Sequence, residues 1–379
     1  MYKFVVIADD ITGAAEIAGV AWGMGCRVGF TTSPEGLAAD GADVTVLATD
    51  TRSMSREDAV ATTERTVDLL RGITPIQRLK IFKKTDSVLR GHVAAELQVL
   101  MRAGYDRALL LPSNPSKDRC ISHGLYRVGG MLLNETVFGH DPEFPARTAD
   151  VTAIVGGGAH SVTPYAESLP AGISVGDSCS AEDIESYVRR FGDSRVLFAG
   201  AADTFRALLA AAGYSQRTVE PFAGLGSVRT LLVFGSTVRH DIMQQPFFVR
   251  NRVAVSNMPD EVFAGEDPQL WCGRMIAECR DAGSVVLRIP QRAEVDAARA
   301  RWLRSAMAVA TACAVGEYAP QELVIEGGAT AFAVLEQLGW NDFSVVCEVA
   351  PGVVRLRHTG SGICVTFKPG SYPWGGMFD

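Results

Sequence analysis

The sequence predicts an α/β fold of two domains, each a mainly parallel sheet with flanking helices. Three observations carry that prediction. Short apolar runs of strand length alternate with stretches whose apolar residues recur at helical spacing. The alternation runs through the first half of the chain and starts again in the second. Finally, 379 residues exceed what one hydrophobic core ordinarily serves.

Residues 4–8 read as a buried strand followed by Asp9-Asp10-Ile11-Thr12-Gly13. Thr12 can cap the next helix, in which Ile17, Ala18, Ala21 and Trp22 share a core face and which Gly23 and Gly25 end. Strands are expected at 26–31 and 44–48, the latter ending in Asp50-Thr51-Arg52, and Ser55 opens an amphipathic helix through Val60, Val67 and Leu70. Leu79, Ile81 and Phe82 mark another strand, and Val93, Leu97, Leu100 and Met101 the helix after it. Between them Lys83, Lys84, Asp86, Ser87 and Arg90 crowd both signs of charge into one turn. A strand at 108–111 ends in Pro112-Ser113-Asn114-Pro115.

Residues 116–150 hold Lys117, Arg119, His123, Tyr126, Arg127 and Asn134-Glu135-Thr136, and are long enough to suggest a functional loop or lid. After Gly156-Gly157-Gly158, read as a flexible turn, come strands at 173–175 and 196–198 and helices at 182–191 and 204–211. The glycine-bearing stretch 220–226 is the expected boundary, giving domains of 1–222 and 228–379. In the second, strands at 231–234, 285–289 and 323–325 accompany helices at about 292–315 and through Phe332, Leu335 and Leu338. Residues 353–379 read as short strands with a glycine-rich tail.

The polar residues gather on one edge. Asp9, Asp10, Asp50, Arg52, Lys84, Asp86, Ser87, Ser113 and Asn114 all follow strand carboxyl ends, where open α/β sheets bind ligands. An Asp in such a place can equally cap the next helix, so both roles stand open for Asp9, Asp10 and Asp86. In the second half Gly235-Ser236 and Gly327-Gly328 lie between strands and helix starts, where backbone N–H groups can meet a phosphate.

A net charge of −7 and a pI near 5.5 argue against a nucleic-acid partner. No run of 18 apolar residues suggests a membrane span, and the start of the chain reads as a strand rather than a leader, so a cytoplasmic protein is expected. The eight cysteines are scattered without a CxxC pair and read as reduced, packed thiols with no structural zinc. P-loop, dinucleotide, nucleophile-elbow and HExxH motifs are absent.

Asp9-Asp10-Ile11-Thr12-Gly13-Ala14 and Lys83-Lys84-Thr85-Asp86-Ser87-Val88-Leu89-Arg90-Gly91 resemble the four-carbon acid sugar kinase family. So do Val128-Gly129-Gly130, Asn134-Glu135-Thr136, Asp141-Pro142, Gly235-Ser236, Gly327-Gly328-Ala329-Thr330, Pro351-Gly352 and Lys368-Pro369-Gly370. The resemblance spans essentially the whole chain. It implies an N-terminal substrate domain and a C-terminal ATP domain, with the active site in the interdomain cleft. It also implies phosphorylation of a four-carbon sugar acid such as threonate or erythronate.

Substrate contacts would come from Asp9, Asp10, Arg52, Lys83, Ser87 and Arg90, with Asp86 as general base and Lys84 as the catalytic cation beside it. ATP would meet Ser236, Gly327, Gly328, Ala329, Thr330 and Gly370, and would bring Mg2+, for which no protein ligand is identified. The chain departs from the family pattern at Ala329, usually acidic, at 368–372 and at Gly200-Ala201-Ala202-Asp203. Two rival readings stay open: a lyase forming a Schiff base on Lys83 or Lys84, and a sugar-acid sensor without catalysis. The partners expected are a small sugar acid and ATP, with a homo-oligomer left open.

Overall fold

The computed structural model describes residues 3–378 except 39–40, 74–78, 142–143, 193, 221, 236–244, 252, 280–281, 291–295 and 371–372. The chain divides into two compact units, Met1–Thr218 and Val219–Asp379.

In the first unit β1 (Lys3–Ala8) leads to α1 (Ile11–Gly23), followed by β2 (Val28–Thr31), β3 (Val44–Ala48), α2 (Arg56–Ile73) and β4 (Leu79–Lys84). Then come α3 (Val93–Met101), β5 (Arg107–Leu111), and a small group, β6 (Arg119–Ser122), β7 (Leu125–Val128) and β8 (Met131–Leu132). The unit ends with α4 (Val151–Val155), β9 (His160–Val162), β10 (Gly172–Gly176), α5 (Ala181–Phe191), β11 (Val196–Gly200) and α6 (Ala202–Ala211). Its main sheet runs β2-β3-β1-β4-β11-β5-β10-β9, parallel throughout.

Parallel strands covered on both faces need apolar residues at every position, which is why residues 4–8 and 108–111 read as unbroken runs. Alternation still sorts the side chains. Val5, Ile7 and Ile81 join the core toward α2 and α3, whereas Phe4 and Phe82 meet Phe205 of α6 with ring centroids 5.8 and 5.0 Å apart. The strand expected at 26–31 begins only at Val28, because the N–H of Cys26 still donates to Ala21 at the end of α1.

The stretch 116–150 holds structure of its own. β6, β7 and β8 form a separate antiparallel sheet, tied to the main fold through bridges from Ile121 to Ser178 and from Leu125 to Asp150. The expectation of eight reduced cysteines is corrected here. Cys120 and Cys179 form a disulfide with their Cα atoms 4.5 Å apart. The pairing is long-range, created because β6 lies along the turn after β10, and no sequence spacing signals it.

The second unit contains β12 (Thr230–Phe234), α7 (Pro246–Arg250), β13 (Ala254–Asn257), α8 (Asp260–Ala264), α9 (Gln269–Cys279), β14 (Ser284–Arg288) and α10 (Ala297–Tyr318). It closes with β15 (Glu322–Glu326), α11 (Gly328–Leu338), β16 (Asp342–Ala350), β17 (Val353–His358) and β18 (Cys364–Lys368). Its strands run β13-β14-β12-β15-β18-β17-β16, parallel as far as β18 and antiparallel across β17 and β16. The glycine-rich tail is not a loose end, since Met377 and Phe378 are buried in the core with Leu225, Phe247 and Phe248.

Candidate active site

The carboxyl edge of the first unit's sheet carries a cluster of ionised side chains. Asp9 follows β1 and Asp10 caps α1, accepting from the Gly13 N–H at 3.1 Å. A Cβ on Gly13 would lie 2.6 Å from Asp10 Oδ1 and 3.0 Å from Lys84 Nζ, so a side chain here would displace the cap. Arg52 lies across three strand ends. It donates from Nε to Asp9 Oδ2 at 2.9 Å and from Nη2 to Asp10 Oδ1 at 2.8 Å, and its Nη1 is 3.6 Å from Asp86 Oδ1.

Asp86 is the most heavily engaged carboxylate. Its Oδ2 accepts from the backbone N–H of Val88 at 3.1 Å and of Arg90 at 3.2 Å, and from Arg90 Nε at 3.0 Å, while Oδ1 accepts from Arg90 Nη2 at 2.9 Å. Arg90 in turn donates from Nη1 to Asp141 at 3.1 Å. Burial would push the Asp86 carboxyl up, but Arg52, Arg90 and Lys84 outweigh it and hold it far below the usual carboxylate range. Asp10 is lowered likewise, with burial outweighed by Arg52 and Lys84. Asp9 differs: its Oδ1 is buried and, among the described residues, accepts no hydrogen bond.

Lys83 and Lys84 part company. Adjacent residues of a strand face opposite sides of a sheet, and the two lysines end up against different helices. Lys84 reaches Glu16 of α1 at 3.6 Å and donates to the Thr85 carbonyl at 2.8 Å. Lys83 is completely buried on the other face in an ion pair with Glu96 of α3, whose carboxylate also accepts from Thr51 at 3.1 Å. The structure therefore gathers Asp9, Asp10, Arg52, Lys84, Asp86, Ser87 and Arg90, and leaves Lys83 outside as a fold-stabilising pair.

Some members of the site had no role assigned from sequence. Glu16 joins Lys84 and Lys117, and Asp141 completes Arg90. Arg119 of β6 donates to Ser87 Oγ, and Tyr126 of β7 donates to the Ser87 carbonyl and, at 3.3 Å, to that of Pro112. The sequence pointed to Lys117, Arg119 and Tyr126 within the long 116–150 segment and to Asp141 in a family motif, but gave none of them a contact, and nothing in it marked Glu16. Ser113 and Asn114, which the sequence placed on this edge, serve the frame. Ser113 bonds Ser178, and Asn114 Oδ1 accepts from the Asp203 N–H at 3.2 Å.

In the second unit, Gly327 takes φ +99° between β15 and α11, a conformation that L side chains rarely adopt. Gly328, Ala329 and Thr330 form the first turn of α11, whose free N–H groups face away from the helix body. Gly235 lets this turn approach β12, since a Cβ there would lie 2.1 Å from Thr330 Oγ1. Lys368, at the end of β18, is buried, lies 3.5 Å from Glu326, and donates to the carbonyls of Pro369 at 2.9 Å and Gly370 at 3.1 Å. Burial lowers the Lys368 ammonium, with Glu326 opposing. Ser236 lies outside the described residues.

Comparison with known proteins divides the chain along the same lines. A model of the sugar-binding N-terminal domain matches residues 4–208, and one of the nucleotide-binding C-terminal domain matches residues 233–372. A 3-oxo-tetronate kinase of Methylobacterium radiotolerans is 27% identical, over 93% of this chain and 92% of its own length. A D-threonate kinase of Salmonella typhimurium is 30% identical, over 40% of this chain and 36% of its own. A solved structure from Salmonella typhimurium LT2 shares the fold with a TM-score of 0.74 at 18% identity, covering 98% of this chain and 96% of the other. The chain belongs to the four-carbon acid sugar kinase family.

Proposed function

We propose that the chain, a sugar-acid kinase by its family, transfers the γ-phosphoryl group of ATP to the terminal (C4) hydroxyl of a four-carbon sugar acid such as threonate or erythronate. The observation that carries this reading is the separation of two chemistries. The unit matching a sugar-binding domain holds a cluster of both charge signs at its strand ends. The unit matching a nucleotide-binding domain holds a glycine-lined helix start suited to phosphates. Phosphoryl transfer needs positioning and charge stabilisation more than covalent chemistry.

The substrate hydroxyl loses a proton as it attacks, and Asp9 is our acceptor. Arg52 fixes its Oδ2, and its Oδ1 has no hydrogen-bond partner among the described residues; buried as it stands, it would have to be uncovered for a hydroxyl to reach it. Asp86, cast as the base from sequence, is too fully bonded to bind a proton readily, so its role is to hold the loop and both arginines. Lys84 keeps Asp10 and Glu16 ionised beside the site. ATP is placed over Gly327, Gly328, Ala329 and Thr330, with Gly370 and Ser236 completing the site. Mg2+ ordinarily binds one or two carboxylates together with the phosphates. Among the described residues no group of three or more His, Cys, Asp or Glu could hold a metal ion; in this proposal Mg2+ rides on the nucleotide phosphates, with its protein ligand unassigned. A cytoplasmic setting belongs to the same proposal. No described helix is long and apolar enough to cross a membrane.

The lyase alternative needs a lysine free to attack a carbonyl, whereas Lys83 and Lys84 are buried and each is paired with a carboxylate, Lys83 with Glu96 and Lys84 with Glu16. The deciding experiment measures ADP release with D-threonate, L-threonate, erythronate, the 3-oxo acid and 4-hydroxythreonine. Turnover of at least one, with phosphorus at C4 by NMR, is expected. Binding without ADP release from any acid would instead make the chain a sensor.

A further inference from the structure

We propose that Arg119 is the residue that takes the carboxylate of the sugar acid, an inference that rests on the kinase reading above. Arg52 faces Asp9, Asp10 and Asp86, and Arg90 faces Asp86 and Asp141. Lys84 and Lys117 both face Glu16. In that cluster the carboxylates outnumber the cations committed to them, so an incoming carboxylate meets repulsion unless another cation receives it. Arg119 is that cation. Among the described residues its guanidinium faces no carboxylate; it donates to Ser87 Oγ, and the Phe138 ring lies 5.6 Å away.

The fold holds Arg119 in place. Its backbone exchanges hydrogen bonds with Asn114 at 3.0 and 3.2 Å, directly beyond the end of β5. Strand alternation puts Arg119 on the same face of β6 as buried Ile121, whose cross-strand partner Tyr126 reaches the Ser87 carbonyl. Arg127, paired with Cys120, is on the opposite face and donates to Gly130. An arginine in this position can offer a planar two-N–H edge to a carboxylate, which a lysine cannot.

The test is calorimetric binding of D-threonate, L-threonate, erythronate and their primary amides, without ATP, to the full-length protein and to Arg119→Gln. The variant should bind the preferred acid roughly 10- to 100-fold more weakly, the range for losing a hydrogen bond to a charged group. Its preference for acid over amide should disappear, while the ATP KM and melting temperature stay near wild type. Arg119→Lys should fall between the two, and it replaces Arg119→Gln if that variant unfolds. Acid affinity within twofold of wild type and an unchanged acid-to-amide ratio would overturn the assignment. Wild type that binds an acid but releases no ADP defeats the kinase reading and leaves the Arg119 comparison intact. Wild type that binds none of these acids overturns both.

Discussion

Asp9 and Asp86 follow neighbouring strands and share Arg52, yet they differ in what each has left to offer. Both oxygens of Asp86 already accept from Arg90, and one accepts from two backbone N–H groups as well, whereas Asp9 keeps one buried oxygen with no hydrogen-bond partner among the described residues. Asp9→Asn should therefore lower kcat by about 10²–10⁴-fold, the range for losing a general base, with substrate affinity and melting temperature little changed. Asp86→Asn should instead cost about 3 kcal/mol of stability, because it leaves two partly buried guanidinium groups short of a partner. Near-normal turnover in the Asp9 variant, or an unaltered urea midpoint in the Asp86 variant, would reverse the assignment. The pH dependence has a definite sign. Asp86, Asp10 and Glu16 all titrate lower in the folded chain than unfolded. Their stabilisation is thus complete above the ordinary carboxylate range near pH 4 and drains away as pH falls below it. Urea midpoints measured from pH 7 to pH 3 should decline at the acid end, and less steeply in Asp86→Asn.

At the scale of elements, β4 shows both what was legible and what was not. Its apolar run, its end and the helix after it were readable, because a strand and a helix have different periods. The opposite facing of Lys83 and Lys84 was also implicit in that period, although grouping by proximity in sequence put both at the substrate. Which carboxylate each lysine would meet was not readable, since Glu16 and Glu96 come from different helices on opposite sheet faces. The start of α11 supplies the second prediction of this kind. If its first turn cradles phosphates, Gly328→Val should raise the KM for ATP at least about tenfold, the size of a lost charge-assisted hydrogen bond, and spare sugar-acid binding. An unchanged ATP dependence in a folded variant would remove this turn from the nucleotide site.

The whole molecule repeats one plan twice, and that repetition was visible because βα alternation resumes after the middle of the chain. The antiparallel end of the second sheet was harder to see, because β16 carries polar residues such as Asp342, Ser344 and Glu348 and is only partly buried. The small β6–β8 sheet was hidden for a similar reason: its strands are short and mix charged with apolar residues. Each unit has a core of its own, one of them running from Val5 to Ala199 and the other closed by Met377 and Phe378. Residues 1–218 and 219–379 expressed apart should accordingly each unfold cooperatively, the first binding sugar acid and the second ATP, with no turnover from either alone. A fragment that stays unfolded, or a first fragment that hydrolyses ATP, would contradict this division of labour.

The link between Cys120 and Cys179 makes the intervening chain a closed covalent ring that contains the three-stranded sheet apart from Arg119. A protease that nicks this ring once, at an exposed tip such as the one beside Met131, leaves a single covalent molecule. On a denaturing gel the nicked protein keeps its full mass until a thiol is added, and only then separates into two pieces. The segment that carries Tyr126, and that begins directly after Arg119, can thus be cut without being shed.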